Sequence, residues 1–283
     1  MPRMSHSSPS PSSDRIAFIG GGNMARSLIG GLVARGRPAD AIRVAEPVPA
    51  LRDALQRDFG VACADHATSA AEGAGVWVLA VKPQVMREVC TALAGLAQSQ
   101  RPLVISIAAG ITAGQLDRWL GGGLPIVRAM PNTPALLGAG ITGLFANART
   151  DAAQRAGASA LLEAVGPTVW IEDEHLMDAV TAVSGSGPAY VFLLAEAMQA
   201  AGIAQGLPPE AARALVQQTL LGAATMLTRQ DEPADVLRTR VTSPGGTTQA
   251  AIETFEAGGF RDLVARAIAA ATERGRQLSA AND

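Results

Sequence analysis

The chain has 283 residues, of which 48% are apolar, and carries 23 basic and 25 acidic side chains for a net charge of −2. This length and composition allow a buried core in one large or two moderate domains. Charged residues make up 17% and no basic patch stands out, so a nucleic-acid-binding surface is not expected. No apolar run is long enough to cross a membrane. Two cysteines without metal-ligand spacing, Cys63 and Cys90, predict a cytoplasmic protein with no metal site.

Residues 1–14 are rich in Ser and Pro and contain no apolar segment of the kind found in signal peptides. They predict a disordered tail. Beyond them, short apolar runs alternate with segments of helical periodicity. Strands are predicted at 15–20, 42–46, 61–64, 76–81, 103–107 and 125–129, and helices at 23–35, 49–58, 84–96 and 112–120. This alternation predicts an α/β fold with a parallel, doubly wound sheet over residues 15–171.

From residue 172 to 283 the pattern is helical throughout, with helices predicted at 188–204, 208–228 and 260–278. The segment 208–228 has few charges on any side, and a helix that is apolar nearly all round must be buried on several faces. We therefore expect two subunits to bury it between them. The alternative is a central helix in a monomeric bundle.

Gly20-Gly21-Gly22-Asn23-Met24-Ala25 follows the first strand and opens a helix, which is the pattern of a dinucleotide-binding loop. The glycines allow a tight turn and a close approach of the diphosphate, which then lies on the free N–H groups of the helix. Glu46 follows about 20 residues later, where an acid accepts hydrogen bonds from ribose hydroxyls and repels the 2′-phosphate of NADPH. It favours NADH in this interpretation, and in the alternative it is a solvated acid.

Lys82 is the single lysine of the chain and follows a predicted strand at the edge where ligands bind in such sheets. This placement suggests a role toward the cofactor, although a surface lysine fits equally well. The turn Met130–Pro134 lies at the same predicted edge and could form a wall for the nicotinamide. The three histidines, His6, His66 and His175, lack the setting of a general base.

Six segments resemble the pyrroline-5-carboxylate reductase family in order and spacing, from Arg15 to about Leu278. They are FIGGGNM (18–24), AVKP (80–83), SIAAG (106–110), VRAMPNTP (127–134), SGSGPAY (184–190) and VTSPGGTT (241–248). The resemblance implies a Rossmann-type N-terminal domain and an all-α C-terminal dimerisation domain. It also implies a homodimer, possible assembly of dimers, and a substrate site where dimer partners meet.

The resemblance implies the reduction of 1-pyrroline-5-carboxylate to L-proline with NAD(P)H, the last step of proline biosynthesis. The cofactor-binding residues that the resemblance implies are Gly20, Gly21, Gly22, Asn23, Met24, Ala25, Ala80, Val81, Lys82, Pro83, Ile107, Ala108 and Ala109, and the place after the second strand adds Glu46 and Pro47. The substrate-binding residues that it implies are Glu174, Thr247 and Thr248, and the glycine-rich loop itself adds Ser243, Gly245 and Gly246. Two positions depart from many relatives: Glu46 replaces Ser or Thr, and Ala67 replaces a polar residue.

A protonated cyclic imine is already cationic, so hydride transfer to its carbon needs no group to stabilise an oxyanion. The loop Ser243–Thr248 offers hydroxyls and backbone N–H groups to a carboxylate at the start of a predicted helix, 247–256. Thr248 is the predicted catalytic residue, through a hydrogen bond to the substrate nitrogen. Two alternatives stay open. One is a reductase of another cyclic imino acid, and the other is a nucleotide-binding regulatory protein without activity.

Overall fold

The structure is a computed structural model that describes residues 14–281, so the predicted tail lies almost entirely outside the described residues. The eight strands are β1 (Ile16–Ile19), β2 (Ile42–Ala45), β3 (Ala62–Ala64), β4 (Val76–Leu79), β5 (Leu103–Ser106), β6 (Ile126–Met130), β7 (Thr142–Ala146) and β8 (Thr168–Trp170). They form one sheet in the order β3-β2-β1-β4-β5-β6-β7-β8. All neighbouring strands are parallel except β6 and β7. The predicted doubly wound sheet is confirmed.

Twelve α-helices are seen within residues 14–281. They are α1 (Asn23–Ala34), α2 (Pro49–Phe59), α3 (Ala67–Ala71), α4 (Pro83–Gln100), α5 (Ala113–Trp119), α6 (Ala152–Leu162), α7 (Met177–Val180), α8 (Gly187–Ala204), α9 (Pro209–Arg229), α10 (Ala234–Arg240), α11 (Thr247–Ala257) and α12 (Phe260–Ala281). A π-helix, Thr181–Gly185, lies between α7 and α8. None of these helices is both long enough and apolar enough to cross a membrane.

The sheet separates two hydrophobic cores because successive strand residues point to opposite faces. On β4, Val78 packs into the core that includes α1, while Trp77 and Leu79 pack into the core that includes α4. Cys90 lies in the second core and is fully buried, as expected of a small core residue, and burial raises the pKa of its thiol to about 12.

The chain divides into two compact units, one of residues 14–185 together with 271–281, and one of residues 186–270. This division falls later than the predicted boundary at 171/172, and the second half of α12 counts with the first unit. The domain boundary therefore stays a prediction.

Several elements were not predicted. The strands β7 and β8 are short, and Gly143 interrupts the apolar run of β7. Helix α6 was also missed, although Asp151 and Gln154 form a capping box at its start, a signal that is readable in the sequence.

Helix α9 has two buried residues in the described chain, Ala212 and Val216, so the alternative of a central helix in a monomeric bundle is wrong. Leu215 and Leu221 are more than half exposed on it. In α8, Phe192 and Leu193 are 62% and 66% exposed. Several exposed apolar side chains on two helices that contact each other are typical of a protein–protein interface.

Candidate active site

The loop after β1 is pressed against the ends of two neighbouring strands. Gly20 has φ of +107°, and its N–H donates to the Ala45 carbonyl at 2.8 Å. A Cβ at Gly20 would lie 2.8 Å from the carbonyl carbon and oxygen of Ala80. Glycine is therefore required here by both the backbone angle and the close approach of β4.

The next two glycines differ in their surroundings. A Cβ at Gly21 would lie 2.7 Å from Cδ1 of Leu55, whereas a Cβ at Gly22 would have no atom within 4 Å. Gly22 is the N-cap of α1, and no side chain caps that helix. Ala25 is 1% exposed and lets α1 pack closely on the sheet. The uncapped N–H groups beside open space fit the diphosphate of a dinucleotide.

Glu46 lies directly after β2 and is 7% exposed, so the alternative of a solvated acid is wrong. Its Oε2 accepts from the Gly21 N–H at 2.9 Å and its Oε1 accepts from the Val48 N–H at 3.0 Å. A carboxylate has about four acceptor positions, so ribose hydroxyls can still donate to it. Glu46 thus belongs to the dinucleotide loop itself.

Arg52 was missed by the sequence analysis. Its guanidinium donates to the carbonyls of Glu46 and Pro47, at 2.7 and 2.9 Å. An arginine in this region is the group that accommodates a 2′-phosphate in NADP-dependent relatives of this fold. Its place in the first turn of the helix after β2 was the available signal.

The loops after β4 and β5 end at the same edge of the sheet as the loop after β1, because these strands are parallel. The predicted cofactor residues in them, Ala80–Pro83 and 107–109, are therefore brought to that edge. Lys82 is exposed and is the N-cap of α4. This position fits both a role toward the cofactor and an ordinary surface lysine. A cavity of about 300 Å³ opens at this edge, lined by Gly20, Pro47, Ala67, Val81 and Val85 among others.

The second glycine-rich loop precedes α11. Gly246 is the N-cap of this helix, no side chain caps it, and Thr247 and Thr248 are its first residues. Gly245 has φ of +70°, and its N–H donates to Oε1 of Gln249 at 2.7 Å. The loop thus presents helix N–H groups and two threonine hydroxyls, which suits a carboxylate.

Glu174 lies in a different setting. Its Oε1 accepts from Nη1 of Arg128 at 2.8 Å and from the Ala113 N–H at 2.6 Å, and the Arg128 side chain is 6% exposed. Arg128, Glu174 and Asp178 line one cavity of about 560 Å³. Burial raises the pKa of Asp178, against the opposing effect of Arg128 and other cations.

Within residues 14–281, no group of three His, Cys, Asp or Glu side chains is placed to hold a metal ion. A mostly parallel sheet, a glycine loop before an uncapped helix, a buried acid after β2 and a cavity at the same edge define a dinucleotide-binding protein.

Comparison with known proteins defines the family. The model for pyrroline-5-carboxylate reductase dimerisation matches residues 174–278, and that for coenzyme F420-dependent NADP oxidoreductases matches residues 15–110. A pyrroline-5-carboxylate reductase of Pseudomonas aeruginosa is 52% identical over 269 residues, covering 95% of this chain and 98% of that protein. The chain belongs to the pyrroline-5-carboxylate reductase family. It is an oxidoreductase that uses a nicotinamide cofactor and reduces pyrroline-5-carboxylate to proline.

Two solved structures are similar over nearly the whole chain. The pyrroline-5-carboxylate reductase of Coxiella burnetii has a TM-score of 0.91 and 43% identity, with 94% of this chain and 99% of that chain covered. The Plasmodium falciparum pyrroline carboxylate reductase, solved with NADP bound, has a TM-score of 0.83 and 28% identity, with 95% and 100% covered. The resemblance seen in the sequence is confirmed, and the all-helical region carries the dimerisation domain of the family.

Proposed function

We propose that Thr248 and the loop around it bind pyrroline-5-carboxylate as a protonated imine and orient it for hydride transfer. The observation that carries this proposal is the uncapped start of α11. Backbone N–H groups there attract an anion, and a substrate carboxylate is the anion the reaction offers. The bound nicotinamide supplies the hydride.

Within the loop, the substrate carboxylate accepts hydrogen bonds from the hydroxyls of Ser243 and Thr247 and from the N–H groups of Gly245 and Gly246. In the structure the Gly245 N–H donates to the Gln249 amide oxygen and the Gly246 N–H donates to the Ser243 carbonyl, so the carboxylate would have to replace both acceptors. Thr248 donates its hydroxyl hydrogen bond near the substrate nitrogen without transferring a proton. No general base is needed because the imine is already charged.

We propose that Glu174 contacts the substrate through Oε2. Its Oε1 already accepts from Arg128 and from the Ala113 N–H.

The proposed cofactor site comprises Gly20–Ala25, Glu46, Pro47, Ala80–Pro83 and the segment 107–109. Within it, we propose that the chain favours NADH. The buried Glu46 carboxylate adds negative charge beside the loop, where a 2′-phosphate would be repelled. Arg52 offsets part of this charge, because its guanidinium lies against the backbone of Glu46 and Pro47.

The test is a spectrophotometric assay of NADH and NADPH oxidation with pyrroline-5-carboxylate and, separately, with the six-membered cyclic imino acid. We expect the five-membered substrate to have the higher kcat/KM, and NADH to perform at least as well as NADPH. A higher kcat/KM for the six-membered ring would favour the other imino-acid reductase. Cofactor binding without turnover of either ring would favour a regulatory protein.

We also propose that the dimers associate further and that the protein acts in the cytoplasm. The exposed apolar residues of α8 and α9 exceed what a monomer usually leaves open. Light scattering at micromolar concentration should give at least twice the chain mass. A monomeric mass with full activity would contradict the dimer. A mass of twice the chain mass would show a single dimer and contradict the further association of dimers.

A further inference from the structure

The turn after β6 is tied to the π-helix by one buried amide. Asn132 follows the end of β6 by two residues and is 9% exposed. Its Nδ2 donates to the Ser184 carbonyl at 3.1 Å, and its Oδ1 accepts from the Ile141 N–H at 3.0 Å. Ser184 belongs to the π-helix Thr181–Gly185. The amide therefore connects three separate segments of the first unit.

A second contact joins the same two segments. A Cβ added at Gly185, the last residue of the π-helix, would lie 2.7 Å from Cε of Met130, the last residue of β6. The turn and the π-helix are thus pressed together as well as hydrogen-bonded. Short π-helices occur often at functional sites, where they are retained despite a poorer hydrogen-bond geometry.

The turn lies where a displacement would affect the proposed cofactor site. β6 is parallel to β5, so the turn lies at the edge of the sheet where the proposed cofactor segments 80–83 and 107–109 also lie. The short helix Thr133–Leu137 that follows packs Ala135 into the core at 3% exposure, while Leu137 is 87% exposed. Ala135 thus anchors the far side of the turn, and the Asn132 amide holds its near side against the π-helix.

We infer that Asn132 is a positioning residue for the reduction: its amide holds the Met130–Pro134 turn against the π-helix, which fixes one wall of the cofactor edge. The inference rests on the proposed cofactor site. It assigns Asn132 no contact with the substrate or with the reacting atoms. Displacement of a positioned wall by about 1 Å can lower a rate by about a hundredfold.

Asn147 provides a matched control at the other end of β6. Its Nδ2 donates to the Leu124 carbonyl at 2.9 Å, and its Oδ1 accepts from the Ile126 N–H at 3.1 Å. Like Asn132, it donates one bond to a backbone carbonyl, and its Oδ1 also accepts from the Arg149 N–H at 3.3 Å and from Oγ1 of Thr150 at 2.9 Å. Loss of the donated bond alone should therefore affect both positions alike.

The experiment compares Asn132→Asp with Asn147→Asp. Each change keeps the acceptor and replaces the donor by a second oxygen, so both variants should lose thermal stability. At about pH 8 we expect Asn132→Asp to lose about ten- to a hundredfold in kcat, and Asn147→Asp to stay within about twofold of the unmodified enzyme. In Asn132→Asp, burial and the facing Ser184 carbonyl should raise the pKa of the new carboxyl, so that it protonates as the pH falls toward about 5.5 and can donate to that carbonyl again. Its kcat relative to Asn147→Asp should then recover.

Equal kcat values for the two variants, or a loss at position 132 that does not recover at low pH, would overturn the inference. If Asn132→Asp does not fold, Asn132→Ser is compared with Asn147→Ser, since the shorter side chain loses the same donated bond without adding a charge. Equal kcat values for those two variants would also overturn the inference. An unmodified enzyme that does not reduce pyrroline-5-carboxylate would instead contradict the proposed function.

Discussion

Two glycine-rich loops each precede a helix in this chain, and their glycines are constrained in different ways. In the loop before α1, Gly20 and Gly21 face backbone or side-chain atoms at 2.7–2.8 Å, so the packing of the sheet demands them. In the loop before α11, Gly245 has a positive φ but no atom within 4 Å of an added Cβ. Packing fixes the first loop, whereas the shape of the second is set by its own backbone.

This difference separates two effects of substitution. A change at Gly20 or Gly21 affects folding and cofactor binding together, because these two glycines pack against neighbouring elements. A change in the second loop should affect turnover with little effect on stability.

Gly20→Ala should destabilise the fold. It forces a Cβ into the Ala80 carbonyl and a non-glycine residue to φ of +107°. Strain and overpacking together should cost about 2–6 kcal/mol of unfolding free energy. Gly22→Ala is the control, since its Cβ meets no atom within 4 Å. It should keep stability but weaken cofactor binding by filling the space at the start of α1. Denaturant unfolding and NADH titration measure both, and equal stabilities would contradict the packing argument.

Thr248→Ala should lower kcat/KM about ten- to a hundredfold, because a hydrogen bond to a charged group contributes about 1.5–3 kcal/mol. NADH affinity should be nearly unchanged, and Thr248→Ser should retain much of the activity. Thr254→Ala is a matched control on the same helix, where the hydroxyl donates to the Ala250 carbonyl. Steady-state kinetics on the three variants decide the question. Full activity in Thr248→Ala would show that Thr248 only begins the helix and has no part in turnover.

Glu46→Ser should shift the ratio of kcat/KM values toward NADPH by roughly tenfold, because it removes a buried negative charge beside the loop. It also removes the acceptor of the Gly21 N–H, so a lower melting temperature should accompany the shift. Asp53→Ser removes an exposed charge from α2 and serves as the control. If the unmodified enzyme strongly prefers NADPH, Glu46 does not set the preference.

Asp178→Asn should change the pH dependence of stability and have the smallest effect. Burial raises the pKa of Asp178, so the folded state holds this proton more tightly than the unfolded state does. Stability should therefore fall as the pH rises above the ordinary carboxyl value of 3.8 and through the raised one. Asp178→Asn should flatten this slope, and Asp40→Asn, at an exposed site, should not. Chemical unfolding at several pH values measures the slope, which neither glycine loop should alter.

Much of the fold could be predicted from local pattern. The strands β1 to β6 and the helices α1, α2, α4 and α5 follow from short apolar runs and helical periodicity, and most observed ends lie within a few residues of the predicted ones, whereas the short helix α3 was not predicted. The strands β7 and β8 could not be predicted in this way, because Gly143 breaks the apolar run of β7 and Val169 of β8 is 51% exposed, so neither shows the continuous apolar run of a buried strand. The antiparallel pairing of β6 with β7 depends on partners that only the folded sheet brings together.

The sequence by itself determined the family, the dinucleotide loop and the glycine-rich start of α11, because these are contiguous segments whose chemistry follows from residue types at fixed spacing. Tertiary structure decided the rest. It buried Glu46 against the Gly21 N–H, 25 positions away, and placed Glu174 on Arg128, 46 positions away. It also brought the Asn132 amide to Ser184, 52 positions away. Hydrogen bonds between distant segments form only when the sheet sets their distance and excludes water, and no local pattern encodes that geometry.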